Sequence, residues 1–306
     1  MKEYKHLPLI AFWLLGIVWG SNFIYMKFAA ALISPVQIVF LRVVFGAIPV
    51  ALFALITGTI KREHLKYTHH FLFMSSLATV VYYLCYVKGV SMLYSGIAGG
   101  LSGATPLFSF ILGIAFLAEE KITVWKLAGL LIGLAGIVLI AKPFEANITE
   151  TTWTGVWYMV LGSLSLGGSF IYAKRFISPL KIPAAALTTY QLFGAALILC
   201  FMVDLNGITH VFEDRKAALG LIIGLGLLGT GLAYLIYYFI IEKMGAVNAS
   251  AVTYIPPVVA LFIGAIIVRE PIAPTDYLAT LLILIGVTLL RKNTAPKETK
   301  IASKRA

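Results

Sequence analysis

The string Gly20-Ser21-Asn22-Phe23-Ile24-Tyr25-Met26-Lys27 returns as Gly167-Gly168-Ser169-Phe170-Ile171-Tyr172-Ala173-Lys174. Both copies close long apolar stretches, so a membrane-embedded unit is written twice. Further matches follow in the same order. Pro35 through Phe45-Gly46-Ala47 pairs with Pro183 through Phe193-Gly194-Ala195, and Tyr83-Leu84-Cys85-Tyr86 with Tyr234-Leu235-Ile236-Tyr237. Pro106, Glu120, Ile122 and Gly136 pair with Pro256, Glu270, Ile272 and Gly286, and the offset drifts only from 147 to 151. Chance apolar similarity gives an isolated match, not an ordered series. A unit that crosses the bilayer an odd number of times sets its second copy upside down. Inverted repeats of that kind underlie alternating-access transport.

A chain of 306 residues that is 60% hydrophobic and 12% charged cannot cover a soluble globule with polar side chains. A spanning helix takes about 20 apolar residues. On that rule the spans are 7–28, 34–57, 70–88, 91–118, 124–141, 153–173, 183–204, 218–241, 247–268 and 275–291. The expected fold is an all-α membrane protein of ten transmembrane helices, built as two inverted five-helix repeats over 1–143 and 150–292. A polar, basic tail follows at 293–306. The run from Leu7 to Phe28 exceeds the apolar core of a signal peptide, about 7–15 residues. Its end also recurs at 167–174, so it reads as a retained first helix.

The net charge of +11 would suit a nucleic-acid partner, but its distribution does not. Lys and Arg form short clusters between apolar runs. With the N-terminus inside, 17 of the 24 fall on the cytoplasmic side and 6 on the other, with Arg42 inside a span. That bias puts both termini in the cytoplasm of a plasma (bacterial inner) membrane protein. Cys85 and Cys200 sit in apolar runs, and His64, His69 and His70 lack zinc-site spacing. No metal, cofactor or P-loop pattern is present, so the expected partners are a small-molecule substrate and the bilayer, with the chain a monomer or weak dimer.

Several residues stand out against this apolar background. Arg42 lies about 12 Å into its helix, taking eight residues at about 1.5 Å each. No Asp or Glu sits comparably deep, so it meets either backbone and amide oxygens or an anionic group of a substrate. Tyr83 and Tyr86 share one helix face, and their repeat partners Tyr234 and Tyr237 share another. Such faces either line a cavity or belong to an interfacial belt. Trp19, Asn22 and Tyr25 form a polar-aromatic turn, with Ser169 in its counterpart. These either line water or bond neighbouring helices. Pro106 and Pro256 interrupt backbone bonding inside spans and are candidate hinges. Glu120 and Glu270 close the helices that contain them, as structural hinges or first-turn caps.

Together these motifs resemble the drug/metabolite transporter superfamily, in its EamA type. The resemblance rests on Trp19-Gly20-Ser21-Asn22-Phe23, on Pro35 with Arg42, and on Ser95-Gly96-Ile97-Ala98 with Pro106-Leu107-Phe108 and Glu120. The spacing Gly129, Gly133, Gly136 adds to it, as do Asn248-Ala249-Ser250-Ala251, Pro256 and Arg269-Glu270. It covers nearly the whole chain. It implies a carrier with a central cavity, often an exporter of amino acids or related metabolites. The superfamily also holds carriers for sugars, nucleotide-type metabolites and drugs.

A secondary transporter exporting a small amphipathic metabolite therefore fits best. An intramembrane enzyme would need paired catalytic groups inside the spans, and a non-transporting membrane component has no need of inverted repeats. The expected cavity lies between the first, third, fourth, sixth, eighth and ninth helices.

Overall fold

In lipid every backbone N–H and C=O needs an internal partner, so apolar runs of spanning length close into helices. A computed structural model describes residues 6–117, 122–141, 150–244 and 250–291. Glu120, Asn248, the junction between the two halves and the tail at 293–306 lie outside the described residues. The helices are α1 (Leu7–Ala30), α2 (Pro35–Ile56), α3 (Arg62–Met92), α4 (Ser95–Phe116), α5 (Val124–Ala141), α6 (Trp153–Leu180), α7 (Ala184–Cys200), α8 (Arg215–Met244), α9 (Ala251–Val268) and α10 (Pro274–Leu290). Eight of these are long and apolar enough to cross a membrane; α7 and α10 are shorter apolar helices. Among the described residues there is no strand.

Local chemistry sets the breaks. α2 starts with a capping box: Ser34 Oγ accepts from the Gln37 amide while Gln37 Oε1 accepts from Ser34 N–H, with Pro35 in the first turn. α3 begins earlier than its hydropathy predicts. The buried His64 hydrogen-bonds Tyr190 Oη at 3.1 Å and so pulls the basic stretch onto α7. α4 is interrupted at Gly103–Ala104 and restarts at Thr105, and α9 enters through a 3-10 turn, Ser250–Tyr254. Pro106 and Pro256 stand in the first turns of the restarted helices, where a missing N–H breaks no intrahelical bond. They mark restarts of the chain rather than kinks within continuous helices.

The contacts between helices are matched under exchange of the two halves. α2 packs on α8, as α7 packs on α3; α1 packs on α9, as α6 packs on α4; α1 packs on α8, as α6 packs on α3. The pairs α5·α10, α4·α9 and α2·α7 map onto themselves. Details repeat as well. α3 and α8 both carry π-helical stretches, Ser76–Val81 and Gly220–Leu232. Arg42 Nε donates to Thr230 Oγ1 at 3.0 Å, and Gln191 Nε2 donates to Thr79 Oγ1 at 2.8 Å.

A few contacts break the pattern: α1 meets α2, and α4 meets α5 and α10, without a counterpart of that size among the described residues. α1 touches the Tyr82–Met92 part of α3, but among the described residues α6 makes no comparable contact with the Ala233–Met244 part of α8. The end of the molecule at the α3–α4 turn is therefore closed, while α6 and α8 stand apart at the matching place.

Candidate functional site

A cavity of about 500 Å³ lies between α1, α3, α4, α6, α8 and α9, with Arg42 reaching in from α2. Its volume falls within the range of small-molecule sites, about 300–1,000 Å³. The wall is mostly aromatic. Tyr82 packs on Tyr83 and Tyr86 with ring centroids 4.8 and 4.5 Å apart, and Trp19 meets Tyr237 at 5.7 Å. Of the sequence-predicted residues, Trp19, Asn22, Arg42, Tyr83, Tyr86, Tyr234, Tyr237, Pro106 and Pro256 all face this one space.

Arg42 is 4% exposed. Its guanidinium carbon stands 3.7 Å from the centroid of the Tyr83 ring, a cation–π contact. Nε donates to Thr230, whose hydroxyl in turn donates to Leu225 O at 2.9 Å across a π-helical turn. Nη1 approaches Met26 Sδ at 3.9 Å, a weak acceptor. Among the described residues no carboxylate reaches Arg42. The cavity thus holds an oriented, desolvated cation with donor capacity toward its open side.

Asn22, one helical turn before Met26, is 5% exposed, and its buried Oδ1 has no hydrogen-bond donor. It presses on Gly229, where an added Cβ would clash with it. Tyr86 is anchored differently. Its hydroxyl lies 3.0 Å from Ser163 Oγ and 3.3 Å from Thr105 Oγ1, tying α3 to α6 and α4. Its ring is available to a ligand, while its hydroxyl is engaged.

Other predicted residues sit elsewhere. Tyr25 is outside the wall, packed against Gly220 and Gly224 of α8. Ser169 is fully buried and donates back to Leu166 O at 2.7 Å; its neighbours Leu166 and Phe170 line the cavity instead. Glu270 does not cap the helix that follows it. Its carboxylate accepts from Ser95 N–H at 2.9 Å, Ser95 Oγ at 2.9 Å and Gly96 N–H at 3.0 Å, capping α4 from the other half of the chain. Beside it Lys27 Nζ donates to Leu93 O at 2.6 Å and Val90 O at 3.1 Å, closing the end of α3. These two charges seal the turn between α3 and α4 at the closed end.

The wall also contains Ser102, Thr105, Ser109, Thr253 and Tyr254. Their hydroxyls are carried by α4 and α9. The helix interruptions beside them fall next to Pro106 and Pro256, which mark the breaks in the sequence, but the 3-10 entry and the restart at Thr105 do not show in it.

Comparison with known proteins agrees with this architecture. The family model described as the EamA-like transporter family matches twice, over residues 6–142 and 153–292. A relative in Bacillus subtilis, "Uncharacterized transporter YoaV", is 27% identical over 89% of this chain and 92% of its own length. An "Uncharacterized transporter" of Archaeoglobus fulgidus is 28% identical over 89% and 94%. The Escherichia coli "Uncharacterized inner membrane transporter YedA" is 24% identical over 95% and 92%. A crystal structure titled only "Crystal structure of protein" shares the fold with a TM-score of 0.61 at 18% identity, covering 92% of this chain and 97% of that one.

Proposed function

Because the chain belongs to the EamA-like transporter family, we propose that it is a secondary transporter that exports amino acids or similar small amphipathic metabolites across a bacterial inner membrane. The observation that carries this reading is Arg42, reached by no carboxylate among the described residues, in an aromatic cavity. A lone buried cation is expensive in a membrane unless something anionic visits it. A monocarboxylate satisfies the free guanidinium donors, while aromatic rings accept an apolar side chain.

The halves act as two inverted five-helix repeats in a ten-helix chain with both termini in the cytoplasm. The matched contacts and the odd helix number per half support that topology. In it, Lys27 lies at the outer face and Lys174 at the inner face. The closed end, held by Glu270 and Lys27, is then extracellular, and the gap between α6 and α8 faces the cytoplasm. An exporter loads from that state and releases after the gap closes and the Glu270 end opens.

The test is efflux profiling in cells that express the chain, followed by uptake of radiolabelled amino acids into proteoliposomes. Arg42→Ala is expected to lower apparent affinity ten- to hundredfold, as loss of a charged hydrogen bond of about 1.5–3 kcal/mol requires. A folded Arg42→Ala protein that transports at the wild-type rate and affinity sinks the carboxylate reading.

A further inference from the structure

Two polar side chains converge on neighbouring residues of α8. Arg42 Nε is bound to Thr230, and Asn22 Oδ1 is pressed on Gly229. Consecutive Cα atoms are about 3.8 Å apart. The guanidinium of α2 and the amide of α1 therefore stand side by side at one point of the cavity wall. Met26, one turn along α1 from Asn22, is the residue that Arg42 Nη1 touches, which fixes the same neighbourhood from the other side.

The two groups are chemically opposite. Arg42 can only donate. Asn22 Oδ1 is an acceptor, and among the described wall residues it is the one buried side-chain acceptor without a donor. No donor among the described residues reaches it: the Arg42 donors are turned to Thr230 and Met26, and the Thr230 hydroxyl donates to Leu225 O. The χ2 torsion of asparagine is broad, so Oδ1 turns from Gly229 into the cavity at little cost once a donor arrives there.

The geometry points to Asn22 as the residue that reads the α-amino group of the substrate, next to the carboxylate held by Arg42. This deepens the proposed function and rests on it. An α-amino acid carries its carboxylate and its ammonium on one carbon, which suits two groups set at consecutive residues of α8. The matching α-keto acid and the deaminated acid keep the carboxylate but bring no donor. They leave Oδ1 unpaired, and a site built for a donor rejects a ligand that lacks one.

The experiment compares uptake into proteoliposomes of two matched sets. One is leucine, 4-methyl-2-oxopentanoate and 4-methylpentanoate; the other is phenylalanine, phenylpyruvate and 3-phenylpropionate. The wild type is expected to favour the amino acid at least tenfold in one set or both. Asn22→Leu should bring that ratio to within about threefold by slowing the amino acid alone, and Asn22→Ser should fall between. Gly229→Ala, whose methyl meets both the Asn22 amide and the Gly224 carbonyl, should also lower the ratio where it folds. Wild-type uptake of none of the six overturns the proposed function. Equal wild-type uptake within each set overturns the role of Asn22 and leaves the carboxylate reading standing. A ratio that survives in folded Asn22→Leu, or an equal loss for all ligands in Asn22→Leu and Asn22→Ser, assigns Asn22 to packing and overturns the inference. Should Asn22→Leu fail to fold, the ratio in Asn22→Ser and Gly229→Ala decides: if neither lowers it, the inference falls.

Discussion

The surroundings of the Arg42 guanidinium replace water piecemeal inside the protein. Tyr83 supplies a π face, Thr230 an oxygen and Met26 a polarisable sulfur. A planar guanidinium can use all three at once, whereas a lysine ammonium cannot stack. Arg42→Lys is therefore expected to fold but to lose most of the affinity that Arg42→Ala loses, read from the concentration dependence of uptake. Thr230→Val removes one neutral partner while keeping shape, so its cost should be near 1 kcal/mol, or about fivefold in apparent affinity. If Arg42→Lys transports like the wild type, only the charge matters and the stacked orientation does not. The repeat also shows how a one-residue change redirects a side chain. The offset of 148 pairs Arg42 with Tyr190, yet Tyr190 stacks on Phe71 at 4.7 Å and meets His64, away from the cavity. The bond that mirrors Arg42–Thr230 is made by Gln191.

At the scale of elements, helix ends and seams decide where the structure can open. α4 starts at the closed end with its first N–H groups held by Glu270, a carboxylate at the positive end of the helix dipole. Glu270→Gln keeps the shape but loses charge and part of the acceptor set. It should destabilise the closed end by about 1–2 kcal/mol and raise the reactivity of a cysteine placed at Phe23 toward an aqueous maleimide. Unchanged reactivity with an unchanged melting temperature would show that packing alone closes this end. The α5·α10 seam makes a contrasting case. A Cβ on Gly286 would lie 2.7 Å from Gly133 Cα and 2.5 Å from Gly129 O, so Gly286→Val must push two backbones apart. It should lower the melting temperature without altering substrate selectivity. Much of this scale was legible in the chain itself. The helices, the repeat and the cavity aromatics Trp19, Tyr83, Tyr86, Tyr234 and Tyr237 all show as polar or aromatic positions in apolar runs. Pro106 and Pro256 marked breaks in α4 and α9, but the restart at Thr105, the 3-10 entry at Ser250–Tyr254, the π-helical stretches and the cross-half role of Glu270 were not legible. Each depends on which partner helix satisfies a backbone group, and local sequence does not record that.

For the whole molecule, the claim with most consequence is that the two halves are inverted. The main contacts are matched under exchange of halves, and among the exceptions α1 meets α3 while α6 stands apart from α8. In an inverted pair those two places lie on opposite faces, so one asymmetry both closes one side and opens the other. In a parallel pair they would lie on the same face, and no alternating access could follow from exchanging the two conformations. The exposed ends of α2 and α7 separate these cases directly. Thr57 follows α2 and Asn206 follows α7, both exposed and at equivalent places in the repeat. In a background with Cys85 and Cys200 replaced, Thr57→Cys should react with an impermeant maleimide only in inside-out vesicles. Asn206→Cys should react only in intact cells whose outer face is exposed. The basic cluster Lys61-Arg62 beside Thr57 predicts the cytoplasmic side for the first of these. Labelling of both cysteines from one face would refute the inversion and, with it, the transport cycle built on exchanging the two halves.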